Sequence, residues 1–185
     1  MIKVLESFVA DKIAAGEVIE RPVSAVKELV ENSIDAGAGS IIVEIRGGGK
    51  SYIRVTDDGC GISFDEAETA FLRHATSKIS GISDLGNIVS LGFRGEALAS
   101  ISAVSRLTMV TRTAEEVSGV KLVLHGGRVV TKERTGCNTG TTVIVEDLFY
   151  NTPARRKFMK TDAREASAIT ELIQQYAVCY AGIRF

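Results

Sequence analysis

One predicted helix near the start of the sequence carries polar side chains whose types and spacing could do chemistry. They recur at intervals of three and four residues, so they are expected on one face of the helix. They are Glu28, Glu31, Asn32 and Asp35. Because Glu28 and Asn32 lie one turn apart, a carboxylate and an amide oxygen can serve a water molecule and a metal ion together. Taken alone, the pattern is also typical of a solvated stripe on an amphipathic helix.

The residues around this stretch set the limits of the helix. Pro22 suits the first helical position, where a missing N–H costs nothing. Gly37 suits the left-handed residue that ends a helix. The apolar residues Val26, Leu29 and Val30 occupy the side opposite the polar face and are expected to pack on a core.

A second carboxylate comes at the end of a predicted β-hairpin. The segments Ile41–Arg46 and Tyr52–Asp57 read as strands joined by three glycines. Ile53 and Val55 must face the core, and the two-residue period of a strand puts Asp57 on the same face. A carboxylate there needs a partner. A donor on a ligand, such as an exocyclic amine, would satisfy it; alternatively, Asp57 turns into the loop and caps the next turn.

The loop after this hairpin is rich in glycine. Gly59-Cys60-Gly61 permits a sharp turn and a close approach to a flat ligand. Ser63 then reads as a helix N-cap with Glu66 as its capping-box partner. The sequence therefore predicts a helix over Phe64–Arg73.

The segment His74–Gly95 is long and irregular, as expected of a functional lid. Its last residues, Gly92–Gly95, lead into a helix that begins at Glu96. Glycine-rich backbone at a helix N-terminus is a natural seat for phosphates, and Lys78 and Arg94 would add positive charge. The alternative is a mobile connector.

The remainder of the chain predicts mostly sheet, closed by helices. The predicted strands are Arg106–Arg112, Val117–Leu124, Arg128–Lys132 and Thr141–Glu146, and Gly182–Phe185 starts another. A short helix is predicted near Asp84–Ser90. Further helices begin at Thr152-Pro153 and span Ala163–Ala181. The basic cluster Arg155–Lys157 is either a solvated helix face or a contact to a phosphate backbone.

Composition predicts one soluble domain. The 185 residues are 45% hydrophobic and 24% charged, and the net charge of −1 leaves only local patches to attract nucleic acid. No apolar run is long enough to cross a membrane, and no signal peptide is evident. Three dispersed cysteines and two histidines offer no zinc spacing, so we expect a reducing, cytoplasmic setting.

Taken together, the motifs resemble the ATP-binding motifs of the GHKL superfamily, which includes type II topoisomerases, a major chaperone family, histidine kinases and MutL. The four motifs are Glu28–Ser33, Asp57–Ile62, Gly92–Ala97 and Gly140–Thr142. Three further stretches look like the MutL mismatch-repair family specifically. They are Ala14–Pro22, Arg73–Lys78 and Phe149–Lys157. The resemblance runs from the first residues to about Lys160.

The resemblance implies a role for each matched residue around a bound ATP. Glu28 would be the general base that activates water, and Asn32 would ligate Mg²⁺. Asp57 would accept the adenine amino group, Gly61 would let adenine lie close, and Thr142 would help to hold the adenine end. The lid over the phosphates would be formed by Thr76, Ser77, Lys78, Gly92, Phe93, Arg94, Gly95 and Glu96.

The resemblance also implies the fold and the biological role. The fold would be α+β, the GHKL (Bergerat) two-layer sandwich, whose mixed, mostly antiparallel sheet is covered on one face by helices. The function would be Mg²⁺-dependent ATP hydrolysis in DNA mismatch repair, with nucleotide-driven lid ordering and homodimerisation. Implied partners are a mismatch-recognition protein of the MutS family and DNA, the latter weakly through the basic cluster.

In the family, a second α/β domain supplies a lysine to the terminal phosphate, and a C-terminal dimerisation domain follows. We therefore expect residues 1–185 to be one ATP-binding domain with weak or no turnover. Met1–Ala10 would be an arm that reaches across to a partner. Two alternatives remain: a nucleotide-gated binding module with incidental hydrolysis, and a topoisomerase or chaperone ATPase, against which Phe149–Lys157 argues.

Overall fold

A six-stranded antiparallel sheet forms one layer of the structure. The computed structural model describes Ala15, residues 18–72 and residues 96–185. The strands are β1 (Ile41–Arg46), β2 (Tyr52–Asp57), β3 (Arg106–Arg112), β4 (Gly119–His125), β5 (Arg128–Thr135) and β6 (Gly140–Glu146). Their order across the sheet is β1-β2-β6-β3-β4-β5, and every neighbouring pair is antiparallel.

Helices form the second layer. Within residues 19–72 and 96–185 the helices are α1 (Pro22–Asp35), α2 (Ala97–Ala103), α3 (Pro153–Phe158) and α4 (Asp162–Cys179), with short 3₁₀ turns at Gly47–Gly49 and Thr69–Phe71. Helices α1 and α2 contact the sheet, and α4 packs against α1 and the Gly47–Gly49 turn. This is the predicted α+β two-layer sandwich. None of the helices in the described part of the chain is long and apolar enough to cross a membrane.

The core lies between these two layers. One row of side chains runs straight across four strands, because Val55 pairs with Val143, Val143 with Met109, and Met109 with Leu122. All four are buried beneath the helices. Burial of apolar surface stabilises a fold by about 25 cal/mol per Å². This row therefore holds the sheet against the helical layer that carries the candidate site residues.

The predicted opening helix and hairpin are confirmed. Helix α1 begins at Pro22, and Gly37 adopts the left-handed conformation just after its end, with φ of +72°. Strands β1 and β2 have the predicted bounds and pair as a hairpin. These elements were predictable because their signals are local: a proline, a glycine and a two-residue apolar period.

The predicted helix over Phe64–Arg73 is wrong. The capping pair forms, since the Ser63 hydroxyl donates to Glu66 over 2.8 Å, but the chain then makes turns that end in the 3₁₀ helix. Tertiary contacts explain the difference. The Phe64 N–H donates to the Glu116 carboxylate at 3.0 Å, and the Phe64 ring lies under the cations of Lys132 and Arg134 on β5, 4.5 and 4.3 Å from its centroid.

Other boundaries shift for similar reasons. Strand β4 begins at Gly119, which leaves Val117 fully exposed, and β5 continues to Thr135 because it pairs with β4 along its length. Helix α4 ends two residues early, at Cys179. The predicted C-terminal strand is reduced to one parallel bridge between Ser40 and Arg184.

Three predicted features lie outside the described residues. They are the arm Met1–Ala10, the lid His74–Gly95 and the short helix Asp84–Ser90.

A buried ion pair fastens α4 to the start of α1. The Glu165 side chain is fully buried, and its Oε2 accepts hydrogen bonds from Nε and Nη2 of Arg21 at 3.2 and 2.9 Å. Its Oε1 accepts the Lys160 N–H at 2.9 Å. Buried carboxylates are tolerated only when they are paired and hydrogen-bonded, as this one is.

We expect Glu165→Ala to destabilise the fold because it leaves the partly buried Arg21 guanidinium and the Lys160 N–H without their acceptor. Arg21 keeps some access to water, so the loss in free energy of unfolding should be about 2–3 kcal/mol, below that for a fully buried pair. Urea unfolding measures it. The control is Glu171→Ala on the exposed face of α4, which should change stability by no more than about 0.5 kcal/mol. Equal effects of the two substitutions would contradict this role.

Candidate functional site

Asp57 lies at the end of β2, on the same sheet face as Ile53 and Val55, as strand parity predicts. Its Oδ1 accepts the N–H groups of Gly59 at 3.0 Å and Thr141 at 3.2 Å. Its Oδ2 accepts the Ser33 hydroxyl at 2.8 Å. The carboxylate thus caps its own loop, as the alternative interpretation held, and is also held from a helix and a second strand.

Burial controls the proton affinity of this carboxylate. Desolvation raises the pKa of Asp57, and the hydrogen bonds from Gly59, Ser33 and Thr141 offset only part of that increase. Asp58, next in the chain, also raises the pKa of Asp57 by charge repulsion. The carboxylate is thus a partly desolvated acceptor, which is the kind of group that binds a donor strongly.

Ser33 was missed in the sequence analysis. It lies on the buried side of α1, where its hydroxyl is 3.1 Å from the Leu29 carbonyl and 2.8 Å from Asp57. The signal was present in the sequence, because Ser33 follows Leu29 by four residues and so falls on the apolar side of the helix. Ser33 couples the end of α1 directly to the carboxylate.

Thr142 is not placed beside Asp57, and the residue that is placed there is Thr141. The Thr142 hydroxyl meets that of Thr56 at 3.1 Å on the opposite face of the sheet. Thr141 shares the inner face with Val143 and Val145, and its N–H reaches Asp57. The two-residue period of β6, read back from Val143, would have selected Thr141.

Gly61 is required by the packing of the protein itself, whether or not a ligand lies close to it. It has φ of +72°, and a Cβ at this position would collide with the Arg112 carbonyl at the end of β3. We predicted that its small size lets a flat ligand lie close. Because Gly61 has no side chain, the loop after Asp57 can pack directly against the backbone of β3.

The polar face of α1 divides into two parts. Glu28, Asn32 and Asp35 are partly exposed, as predicted, and Glu28 and Asn32 lie one turn apart. The Lys27 ammonium lies 3.8 Å from the Glu28 carboxylate and 2.8 Å from that of Glu31. A carboxylate and an amide oxygen thus lie on a partly exposed face that water or a cation can reach.

Glu31 lies on the predicted polar face of α1 but is not solvated, so the alternative of a solvated stripe fails for this residue. It is only 7% exposed because α4 covers it, and its carboxylate accepts the Tyr176 hydroxyl at 2.7 Å. Burial, followed by the nearby Glu31, raises the pKa of Tyr176. Glu31 is thus an anchor between α1 and α4 and holds Lys27 on the adjacent turn.

Most of the predicted lid residues lie outside the described residues. They are Thr76, Ser77, Lys78, Gly92, Phe93, Arg94 and Gly95. Glu96 is described: it is the non-helical residue before α2, and its carbonyl accepts the Ser100 N–H at 2.8 Å. The predicted helix start at this position is confirmed to within one residue.

Within the described ranges, no group of three or more His, Cys, Asp or Glu side chains could hold a metal ion. A cation beside Asn32 would therefore need further oxygen ligands from a bound molecule or from water. Mg²⁺ is commonly bound in this way, by one or two protein groups plus phosphate oxygens.

Helix α1 sets the distance between the two halves of the site, which are the Asp57 carboxylate and the Glu28–Asn32 pair. Ser33, which holds Asp57, follows Asn32 directly and lies five residues beyond Glu28. Five residues span about 7.5 Å along a helix. An acceptor for a donor group thus lies at one end, and an acid–amide pair for water and a cation lies about a helical turn and a half away.

Comparison with known proteins gives a consistent result. The family model described as histidine kinase-, DNA gyrase B-, and HSP90-like ATPase matches residues 20–138. A solved structure of the Aquifex aeolicus MutL ATPase domain complexed with ADP is similar, with a TM-score of 0.70 and 38% identity, covering 90% of this chain and 58% of that one. The N-terminal domain of a DNA repair protein has a TM-score of 0.78 and 37% identity, covering 94% and 50%.

Curated relatives are more similar in sequence. The DNA mismatch repair protein MutL of Agathobacter rectalis is 53% identical over 184 residues, and that of Caldanaerobacter subterraneus subsp. tengcongensis is 55% identical over the same length. Each alignment covers all of this chain but only 28% and 31% of the respective relative. The chain thus spans less than a third of the length of these relatives.

Proposed function

The chain belongs to the family of histidine kinase-, DNA gyrase B- and HSP90-like ATPases, and on that premise we propose that it binds and hydrolyses ATP as the ATPase domain of a MutL-type DNA mismatch repair protein. The observation that carries the proposal is the half-buried Asp57 carboxylate, held by three donors at one end of α1, with Glu28 and Asn32 further along the same helix.

Asp57 is the acceptor for the exocyclic amine of adenine. A partly desolvated carboxylate binds a hydrogen-bond donor favourably and an acceptor unfavourably, since two acceptors facing each other leave both unsatisfied. Guanine presents a carbonyl where adenine presents its amine, so the same group favours adenine. Ser33 and Thr141 keep the carboxylate oriented for this contact.

Glu28 is the general base that removes a proton from the attacking water. Asn32 contributes its amide oxygen to Mg²⁺, and its place on the partly exposed face of α1 fits that role. When bound, the magnesium ion would neutralise charge on the phosphate oxygens. The phosphates themselves would be covered by the lid residues Thr76–Lys78 and Gly92–Glu96.

The role of the whole protein extends this proposal. Nucleotide binding would order the lid and drive homodimerisation, and so couple mismatch recognition by a MutS-family protein to later repair steps in the cytoplasm. The similarity of the entire chain to MutL proteins supports this role.

One contact favours a second candidate function, a nucleotide-gated binding module in which hydrolysis is incidental. The Lys27 ammonium lies 3.8 Å from Glu28 and competes with a water proton for that carboxylate. The two candidates differ in whether Glu28 contributes to turnover.

We expect Asp57→Asn to weaken ADP and ATP binding about tenfold or more, because an amide can present its own donor to the adenine amine. Isothermal titration measures the affinity.

Because the pKa of Asp57 is raised, wild-type affinity should also fall on acidification at a higher pH than for an ordinary aspartate, and the Asn variant should lack that step. The control for the affinity is Asp58→Asn, because the Asp58 carboxylate accepts the N–H groups of Gly39 and Ser40 instead.

In a full-length chain, Glu28→Ala should lower the rate of ATP hydrolysis by about 10²- to 10⁴-fold, the usual contribution of a general base. Nucleotide affinity should stay within about twofold, since the group acts on water and not on the purine. Release of labelled phosphate with protein in excess over ATP detects slow turnover. An unchanged rate would favour the binding-module alternative.

The basic cluster divides between a structural role and a candidate DNA contact. Arg155 is partly buried; its Nη1 donates to the Ile19 carbonyl at 3.0 Å, and its guanidinium lies over the Phe149 ring at 5.8 Å. Arg156 and Lys157 are exposed. The two exposed residues, and not Arg155, are therefore the better candidates for a phosphate contact.

The double variant Arg156→Ala with Lys157→Ala should make the slope of log K for DNA binding against log salt concentration less steep. The change should be about 0.9 for each phosphate that is no longer neutralised, or about 2 in total. Fluorescence anisotropy over a series of salt concentrations measures the slope. Arg155→Ala should instead lower the free energy of unfolding. A slope unaffected by the double variant would assign the cluster to a solvated helix face.

A further inference from the structure

The Thr111 hydroxyl joins the segments that surround Asp57. Thr111 lies on the inner face of β3, and its side chain is fully buried. Its Oγ1 lies 2.9 Å from the Ile62 N–H, 3.0 Å from the Gly140 carbonyl and 2.9 Å from the Thr141 hydroxyl. Ile62 belongs to the loop that follows Asp57, and Gly140 and Thr141 begin β6. One buried oxygen therefore connects three strands or loops.

Both backbone donors to the Asp57 carboxylate come from segments that Thr111 holds. The Thr141 N–H reaches Oδ1 from β6, and the Gly59 N–H reaches the same oxygen from the loop. Thr111 touches Thr141 directly and holds the far end of that loop through Ile62. Loss of this hydroxyl would leave the two donors without a common anchor.

The hydrogen-bonding capacity of a hydroxyl limits the possible arrangements. Thr111 has one proton and two lone pairs. One lone pair accepts the Ile62 N–H, and the proton goes either to the Gly140 carbonyl or to the Thr141 oxygen. In the first arrangement the Thr141 hydroxyl donates back to Thr111; in the second it accepts. In both, Thr111 fixes the position of the Thr141 hydroxyl, and the backbone N–H of the same residue donates to Asp57.

We propose that Thr111 is a positioning residue for adenine recognition: it sets the orientation of Asp57 and Thr141 without touching the nucleotide itself. The inference rests on the proposed nucleotide binding and deepens it. Because Thr111 is buried, it acts only through the groups it holds. The effect should therefore fall on the purine contact and spare interactions made by the phosphates.

The test compares variants of the 185-residue chain by isothermal titration with ADP and with GDP. Thr111→Val keeps the shape and removes the hydroxyl, and should raise the Kd for ADP about tenfold. The Kd for GDP should change little, so the preference for adenine falls. Thr111→Ser restores the hydroxyl and should return the Kd for ADP to within about threefold of wild type. The matched control is Thr108→Val, on the same strand but with its side chain on the opposite face.

Urea unfolding shows whether each variant is folded at the titration temperature. If Thr111→Val does not fold, Thr111→Cys replaces it, because a thiol has nearly the same volume but hydrogen-bonds weakly. Wild-type ADP affinity in either variant would overturn the inference, as would a Ser variant as weak as the Val variant. Equal losses for ADP and GDP would assign Thr111 to general packing and also overturn it. A wild-type chain that does not bind ADP would overturn the proposed function itself.

Discussion

The desolvation of one carboxylate is the constraint on which the rest of this structure depends. Asp57 is partly removed from water at the end of a core-facing strand, which raises its pKa. Its charge is tolerated because donors reach it from helix α1, from its own loop and from β6. Those three segments must therefore meet at one point. The glycines of the loop and of β6, and the buried Thr111, are consequences of that convergence.

A second set of buried charges fixes the helical layer that carries Glu28 and Asn32. Glu31 and Glu165 are both nearly inaccessible, and each joins α4 to the α1 segment, through Tyr176 and Arg21 respectively. Removing one partner from such a pair costs more than the pair itself contributes. Helix α1 therefore has a fixed rotation about its axis, and that rotation turns Glu28 and Asn32 outward.

Much of the fold was predictable because its signals are local. The proline and glycine that bound α1 and the two-residue periods of β1, β2 and β3 act within a few residues. Two of the failures have one cause. Glu116 and β5 hold Phe64 outside a helix, and α4 removes Glu31 from the solvated stripe. In each case a segment distant in sequence supplied the deciding contact.

The sequence by itself determined the types of group at the site and their periodicity: Glu28 and Asn32 one turn apart on a helix, and Asp57 on the inward face of a strand. Only the tertiary structure decided which groups surround Asp57. Ser33, Thr111 and Thr141 come from three elements up to 108 residues apart, and the hydrogen bonds that join them exist only after the helix packs on the sheet. The two-residue period of β6 already separates Thr141 from Thr142, but only the pairing of β6 with β2 brings the Thr141 N–H to Asp57.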